Sequence, residues 1–593
     1  MPQGSVLSVT LFSLKINSIV TCLTTGVDCS LYVDDIVACC RSKQLRSIER
    51  QLQQCLNKLQ WWADENGFKF SQSKTVCMHF CHKRKLHPDP LLTLNNINIP
   101  IVTQAKFLGL LFDNKLSYIP HLKYIRAKCL KSMNLLRIVA HKDWGGDTQT
   151  LLKLYRSLIR SRLDYGSIVY GAARKSYISM LDPIQNQALR LCLGAFRTSP
   201  VDSLQIEANE PSLAMRRTRL SYLYTLKLKS NINNPAYNNT FHPHYQTLFQ
   251  KKPKIVPTFG IRALKLMHDF SMNLSTIAPY CLPSVPPWLC KLPTFCFSLQ
   301  MGNKANTPPA ILKQNFYQLL SVYDGFVQIY TDGSKEGNSV AAAMIYRHNS
   351  VVTARLPDHS SIFSAEAHAI LLALDFIDQL DSCKFVVFSD SLSCLQAMHN
   401  MKWASPLIRH ILEKCHLLSL AGKAIHFCWI PSHVGITGNE RADAEAKAAL
   451  QYEVSDCTVP HTDYRQLVST RLAKVWQTQW DNVLFNKLQP IKKVIGITKF
   501  NGITKRRDEV VLHRVRIGHT HLTQCYLLKA EDQPQCDSCH SALSVKHILI
   551  DCPNLAASIK KFFNVNSLGE FFSHFPCFNI LNFLRDVGLY QRF

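Results

Sequence analysis

The sequence is short of several things. No apolar run reaches the roughly 18 residues that a membrane span needs. The amino terminus, MPQGSVLSVT, lacks the charged leader and apolar core of a secretory signal. No internal repeat is visible, and a single C-x-x-C occurs, at Cys536 and Cys539. Acidic residues are scarce: 41 Asp and Glu stand against 68 Lys and Arg, a formal net charge of +27. A chain this basic calls for a polyanionic partner. Nucleic acid comes before an anionic membrane surface, because no basic amphipathic segment stands out. The 22 Cys are scattered through a large chain, the usage of reduced thiols in an intracellular compartment. Nucleus and cytoplasm both stay open, since KRK (83–85) and KRR (505–507) are too short to serve as addresses.

What is present is globular in character. The 593 residues are 47% hydrophobic and 18% charged, enough for three or more domains. Residues 1–120 carry an amphipathic helix with Leu45, Ile48, Leu52, Leu56 and Leu59 at helical spacing, while GFKFSQSKTVCMHF (67–80) and KFLGLLFDNKLS (106–117) read as strands with turns. Residues 121–225 are helical and basic, their Lys and Arg forming either the solvated faces of a bundle or phosphate contacts. Periodicity fades over 226–325, where NNPAYNN, KKPKIVP, SVPPWLCKLP and ANTPPA mark a Pro- and Asn-rich connector. It is not expected to be one compact fold, although Trp288 and Phe295 offer docking points.

Between 326 and 450 three strands (326–332, 339–347, 350–356) precede a helix (362–379), a strand (384–389), two helices (391–400, 405–421), a strand (423–430) and a last helix (438–450). That order predicts a mixed sheet with helices on its faces. Residues 451–593 form a helical region ending in a Cys/His cluster. The fold class is therefore multidomain, α+β and α/β.

Four carboxylates in the 326–450 stretch sit at strand ends and on helices: Asp332 in IYTDGS, Glu366 in FSAEAHAILLAL, Asp390 in VVFSDS and Asp443 in GNERADAEAK. Any one of them alone reads as a cap or turn residue. Brought together at one sheet edge, they could stay ionised only around cations, and hard oxygen ligands suit Mg²⁺ or Mn²⁺. Two such ions roughly 4 Å apart activate a water and stabilise the leaving oxygen of a phosphodiester. His433, in WIPSHVGITGN, stands on a Gly-bounded loop before the last helix, placed to move a proton. This stretch holds 10 Lys and Arg against 12 Asp and Glu, a total of −2 within a chain of +27, which puts +29 on the remainder. Electrostatic grip on a polyanion should come from the neighbours.

TDGS, SAEAHAILLAL, SDS and WIPSHVGITGNERAD, in that order, resemble the type 1 ribonuclease H family over about 125 residues. The resemblance implies endonucleolytic hydrolysis of the RNA strand of an RNA–DNA hybrid by a two-metal mechanism. Asp332, Glu366, Asp390 and Asp443 would hold two Mg²⁺ ions, His433 would assist, and Asn439 and Ser391 would lie near the substrate. No small-molecule cofactor is implied.

A second acidic pair lies in LYVDDIVACC (31–40). Asp34 and Asp35 interrupt residues that favour a buried strand, and two adjacent buried carboxylates demand a cation. PQGSVLS (2–8), YVDD (32–35), GFKFSQSKT and KFLGLLFDNKLS resemble successive motifs of the reverse transcriptase palm of non-LTR, LINE-like retrotransposons. LYRSLIRSRLDYGSIVYG and PIQNQALRLCLGAFRTSP resemble the thumb helices of the jockey-like branch. Val9 departs from the Pro usual in that family. The resemblance also implies a third metal-binding Asp on a strand well before PQG, and the fingers. Neither has a counterpart in the sequence, and Asp28 is too near the hairpin to substitute. The palm is thus expected to be partial, a truncated copy or an incomplete gene model, with Asp34 and Asp35 a polymerase remnant.

QCDSCHSALSVKHILIDCPN places Cys536, Cys539, His547 and Cys552 in C-x2-C-x7-H-x4-C spacing, able to close a tetrahedral Zn²⁺ site, with His540 a rival ligand. Four protein ligands leave no open position, so the role is structural or RNA-contacting. The motif resembles the C-terminal Cys/His motif of the same retroelements, where it is linked to RNA binding.

Two functional readings follow. One is a metal-dependent hybrid ribonuclease on a basic scaffold; the other is an inactive remnant that binds RNA or hybrid. In either case the chain alone is expected to give no nucleotide incorporation in a primer-extension assay.

Overall fold

The computed structural model describes residues 4–81, 88–244, 246–251, 255–270, 274–301, 307–346, 350–563, 565 and 567–593. Pro2 and Gln3 of the PQGSVLS run and the KRK triplet at 83–85 lie outside the described residues. The chain divides into two compact units, residues 1–139 with 153–188, and residues 140–152 with 189–593.

In the first unit, β1 (Val27–Tyr32) and β2 (Asp35–Cys40) form an antiparallel hairpin in which Tyr32 pairs with Asp35. The turn between them places Val33 at φ +56°, a costly backbone for a β-branched residue. One face of the hairpin, with Leu31, Ile36, Ala38 and Cys40, packs on the Leu45–Asn66 helix through Cys55, Leu59, Trp62 and Ala63. Gly67 ends that helix in the left-handed conformation, φ +71°.

Two expectations fail in this unit. Asp34 and Asp35 are exposed at the hairpin tip, so no buried like-charge pair exists. The apolar residues around them alternate across a ribbon covered on one face, which the local composition does not reveal. Residues 67–80 form no strand. Ser71 accepts backbone bonds from Lys74 and Thr75 in a turn, Phe68 stacks on Trp62 at 5.3 Å, and only Cys77 bridges to Ile101. The 106–117 stretch does pair, as β5 (Gln104–Phe107) with β6 (Leu110–Asp113), after a short β3 (Thr93–Leu94) and β4 (Ile97–Asn98). The basic Ile119–Val139 helix follows, buried along His121, Leu122, Ile125, Cys129, Met133 and Leu136.

The second unit is built on a six-stranded sheet in the order β10-β9-β8-β11-β12-β7. β8 (Val327–Glu336), β9 (Ser339–Tyr346) and β10 (Ser350–Leu356) are antiparallel neighbours. β11 (Lys384–Ser389) lies parallel to both β8 and β12 (Ala424–Trp429). Strand alternation divides β11 between two cores. Phe385 and Val387 meet the helices Ile362–Asp378, Leu392–His399 and Pro406–Leu420 on one face; Val386 and Phe388 meet Leu312, Phe316 and Tyr323 on the other. Each fully buried phenylalanine contributes about 1.5–3 kcal/mol.

The 226–325 connector docks in the same unit at Phe295, one of its two expected docking points. β7 (Thr294–Cys296) adds to the free edge of β12 in parallel, pairing Phe295 with Phe427, and the Pro309–Val322 helix closes the second core. Met267 and Ile277 join a third core with Tyr222, Leu226, Ala365, Ala369 and Val468. Trp288, by contrast, is exposed. The strand was illegible because three residues carry no period; its pairing partner lies more than a hundred residues away.

Glu207, on the Val201–Ala208 helix, is fully buried. Arg516 Nε donates to its Oε1 at 2.8 Å, His513 Nδ1 lies 2.9 Å from the same oxygen, and Lys492 Nζ is 3.9 Å from Oε2. Burial pushes the Glu207 carboxyl up, but Arg516, His513 and Lys492 outweigh it and hold it well below the usual carboxylate range. Removing one partner of such a buried group costs about 3–5 kcal/mol. A depressed acid stabilises the fold above its unfolded pKa, about 4.3, and that contribution disappears as pH falls below it. Glu207→Gln is therefore expected to lower the melting temperature most at pH 7, with the gap from wild type narrowing below about pH 4.

Candidate active site and metal centre

The middle of β8, which runs past the expected end at 332 to Glu336, meets the C-terminal end of β11 and the start of the Ile362–Asp378 helix. Ligand oxygens of Asp332, Glu366 and Asp390 lie within 4.8 Å of one another. Two close approaches make this possible. A Cβ on Gly333 would sit 2.7 Å from the Glu366 amide nitrogen, so only glycine lets the helix start reach the strand. A Cβ on Gly438 would meet the Tyr330 ring at 2.5 Å, and its absence lets the Thr437–Ala448 helix lie on β8.

The cluster is electrostatically tense. Burial, then the Asp390 and Asp443 charges, push the Asp332 carboxyl up to about 8. Burial, then Asp332 and Asp390, raise Glu366 well above its ordinary value, and burial raises Asp390 despite the Asn439 amide, whose Nδ2 donates to Asp390 Oδ2 at 3.4 Å. Among the described residues one hydrogen bond relieves Asp332, with Gly333 N–H donating to its Oδ1 at 2.9 Å, and the Lys447 charge helps. Glu366 Oε2 is buried without a hydrogen-bond partner. Buried carboxylates with an orphaned oxygen fit divalent cations, which supply the charge that the protein omits.

Asp443 stands beside this triad. Its Oδ2 accepts from Lys447 Nζ at 2.6 Å, and it groups with His433 and Glu440 within 4.8 Å. His433 is exposed and left-handed, φ +52°, next to Gly435 at φ +81°. Gly435 N–H donates to Glu440 Oε1 at 3.1 Å, pinning the loop to the first turn of the helix. The Ser391 hydroxyl is 3.4 Å from that of Ser393, and the Ser391 amide donates to Ser389 Oγ at 3.2 Å. Glu440 escaped the sequence reading. GNERAD carries two carboxylates three residues apart, which share a helix face, and that spacing was the available signal. Trp429, whose Nε1 donates to the Asp390 carbonyl at 3.0 Å, gave no signal at all.

Asp34 and Asp35 are brought to no other acid: among the described residues they join no group able to hold a metal.

At the C-terminus, Cys536, Cys539, His547 and Cys552 come within 4.8 Å of one another, while His540 is outside the group among the described residues. Cys539 Sγ lies 3.4 Å from His547 Nε2 and Cys536 Sγ 3.9 Å from Cys552 Sγ. The turn after Cys536 is closed by its carbonyl accepting from His540 N–H at 2.9 Å, with His540 left-handed. The Ser538 backbone N–H and then the His547 side chain bring the Cys536 thiol down to about 6, so it offers a thiolate at neutral pH. Among the described residues no helix is long and apolar enough to cross a membrane.

Residues 324–451 match the family profile of RNase H, and residues 1–112 that of reverse transcriptase (RNA-dependent DNA polymerase). The chain is 26% identical over 225 residues to the Pol polyprotein of the type-1 retrotransposable element R1 of Bradysia coprophila, covering 37% of this chain and 22% of that protein. It is 26% identical over 248 residues to the RNA-directed DNA polymerase of the mobile element jockey of Drosophila melanogaster, covering 40% and 26%. The chain thus spans about a quarter of the length of these relatives. The solved structure of LC11-RNase H1 in complex with RNA/DNA hybrid is 22% identical, with 21% of this chain and 96% of that one covered and a TM-score of 0.18.

One equivalent of bound metal is expected at the Cys/His group of the purified chain. Cys536→Ser should remove it in elemental analysis while leaving the rest of the chain folded by circular dichroism.

Proposed function

With the chain placed among LINE-like retrotransposon polyproteins and carrying a ribonuclease H domain, we propose that it hydrolyses the RNA strand of RNA–DNA hybrids endonucleolytically, with two divalent ions held by Asp332, Glu366, Asp390 and Asp443. The observation that carries this reading is the triad of buried Asp332 and Glu366 with half-buried Asp390, one Glu366 oxygen having no partner among the described residues. Mg²⁺ or Mn²⁺ bound there would supply an activated water and charge for the leaving oxygen. The protein's own part is to hold and orient. Gly333 and Gly438 admit the two helices, Asn439 fixes the Asp390 carboxylate, and Lys447 holds Asp443 Oδ2 from the next turn of its helix. His433, exposed and next to Asp443 and Glu440, moves a proton between the site and solvent. Asn439 and Ser391 border the nucleic acid.

The Cys/His group holds Zn²⁺ in this reading and acts structurally: three sulfurs and one imidazole fill a tetrahedron. The +29 outside residues 326–450 supplies sequence-independent affinity for phosphate.

Incubating the chain with a labelled RNA–DNA hybrid and Mg²⁺ should give RNA fragments ending in 3′-hydroxyls. Asp390→Asn should lower the rate at least about 100-fold with hybrid binding retained. A wild-type chain that binds hybrid but leaves it intact in both Mg²⁺ and Mn²⁺ would hand the function to the binding reading.

A further inference from the structure

The Pro309–Val322 helix lies outside the 324–451 match, yet it forms the floor of the His433 loop. Leu312 and Phe316 are 3% and 2% exposed and share a core with Phe388, Cys428, Ile430, Val434 and Ile436. Phe316 meets Phe388 edge-on at 5.3 Å. Val434 and Ile436 are the two apolar residues flanking Gly435, so the loop stands on this helix through them. On its other side the Gly435 amide is held by Glu440. The left-handed backbone of His433, two residues before Gly435, is costly for a non-glycine residue and is held by this support from both sides.

The same helix brings a cation. A Cβ built on Gly435 would lie 3.6 Å from Lys313 Nζ and 3.8 Å from its Cδ, so the Lys313 side chain runs across the loop two residues from His433. Lys313 has no ion pair or hydrogen bond within the described residues, and Glu440, in the first turn of the helix after the loop, is occupied by the Gly435 amide. A free ammonium at the rim of an acid cluster, in a stretch whose own balance is −2, is placed for an anion that arrives from solution.

Resting on the hybrid-nuclease reading, we propose that Lys313 is a substrate-binding residue that contacts a backbone phosphate of the nucleic acid beside the His433 loop, and that the Pro309–Val322 helix is a positioning element of the nuclease site. Residues upstream of the matched domain thereby become part of it. The contact is to phosphate, so it follows the strand and not the base sequence.

The test uses the full chain. Lys313→Ala should raise KM for the hybrid about fivefold at nearly unchanged kcat, Lys313→Glu should raise it further, and Lys313→Arg should restore it. The slope of log KM against log salt should fall by about one in the alanine variant. Lys313 is half-buried, so a melting curve accompanies each variant, and that of Lys313→Arg should match wild type. KM and salt slope unchanged in Lys313→Glu would overturn the contact. If the wild type cleaves nothing, the nuclease reading fails by itself. Lys313 is then judged by fluorescence anisotropy of labelled hybrid. A weaker affinity with a shallower salt slope in Lys313→Glu sustains the phosphate contact, and identical curves reject it.

Discussion

Like charges packed out of water govern this molecule's second unit. Asp332, Glu366 and Asp390 are held together by covalent position on β8, on β11 and at the start of a helix, not by any attraction among themselves. The surrounding architecture has to withstand their repulsion. It does so with a sheet whose central strands are buried on both faces and with two glycines that let helices approach closer than any side chain allows. The tension is visible in the raised affinities of the three carboxyls for protons. Cations relieve the same tension, and a folded site that is uncomfortable when empty binds them the more readily.

The second unit also shows how a strongly basic chain accommodates an acidic centre. Local charge near the carboxylates is negative, and positive charge is distributed elsewhere, with Lys313 and Lys447 the exceptions at the rim. Lys447 is committed to Asp443 and Lys313 is not. The C-terminal part solves a different charge problem by the opposite arrangement. There a single buried Glu207 is surrounded by Arg516, His513 and Lys492, so the 201–208 helix and the 506–517 helix are joined by an ionic knot. Such a knot specifies one packing arrangement more than it adds net stability.

Much of the 326–450 region could be read in the sequence because its signals are local. β9 and β10 fall at 339–346 and 350–356, and the Ile362–Asp378 helix starts where Ser361 caps it through the Ser364 amide. Asp390 and Glu366 could be proposed because they stand just after a strand and near a helix start; Asp332 lies within β8, which runs on to Glu336, and Asp443 lies within its helix. What could not be read depends on distant partners. β7 is three residues that become a strand only beside β12. Leu312 and Phe316 look like any apolar pair until Phe388 is opposite. Asp34 and Asp35 lie in an apolar run that turns out to be a ribbon with one open face, so composition suggested burial where the fold gives exposure. Gly333 and Gly438 are silent in sequence, since nothing local distinguishes a glycine needed for close approach from one in a turn.

β7 has one more consequence. A parallel ladder ending at β12 would leave its outer row of amides and carbonyls bare, an invitation to pair with another molecule. Thr294–Cys296 occupies that row, and Phe295 lies over Phe427 with Phe297 and His399 packed around it. A short piece of the Pro- and Asn-rich stretch thus covers part of the β12 edge, and fragments that begin downstream of it would leave those amides and carbonyls bare.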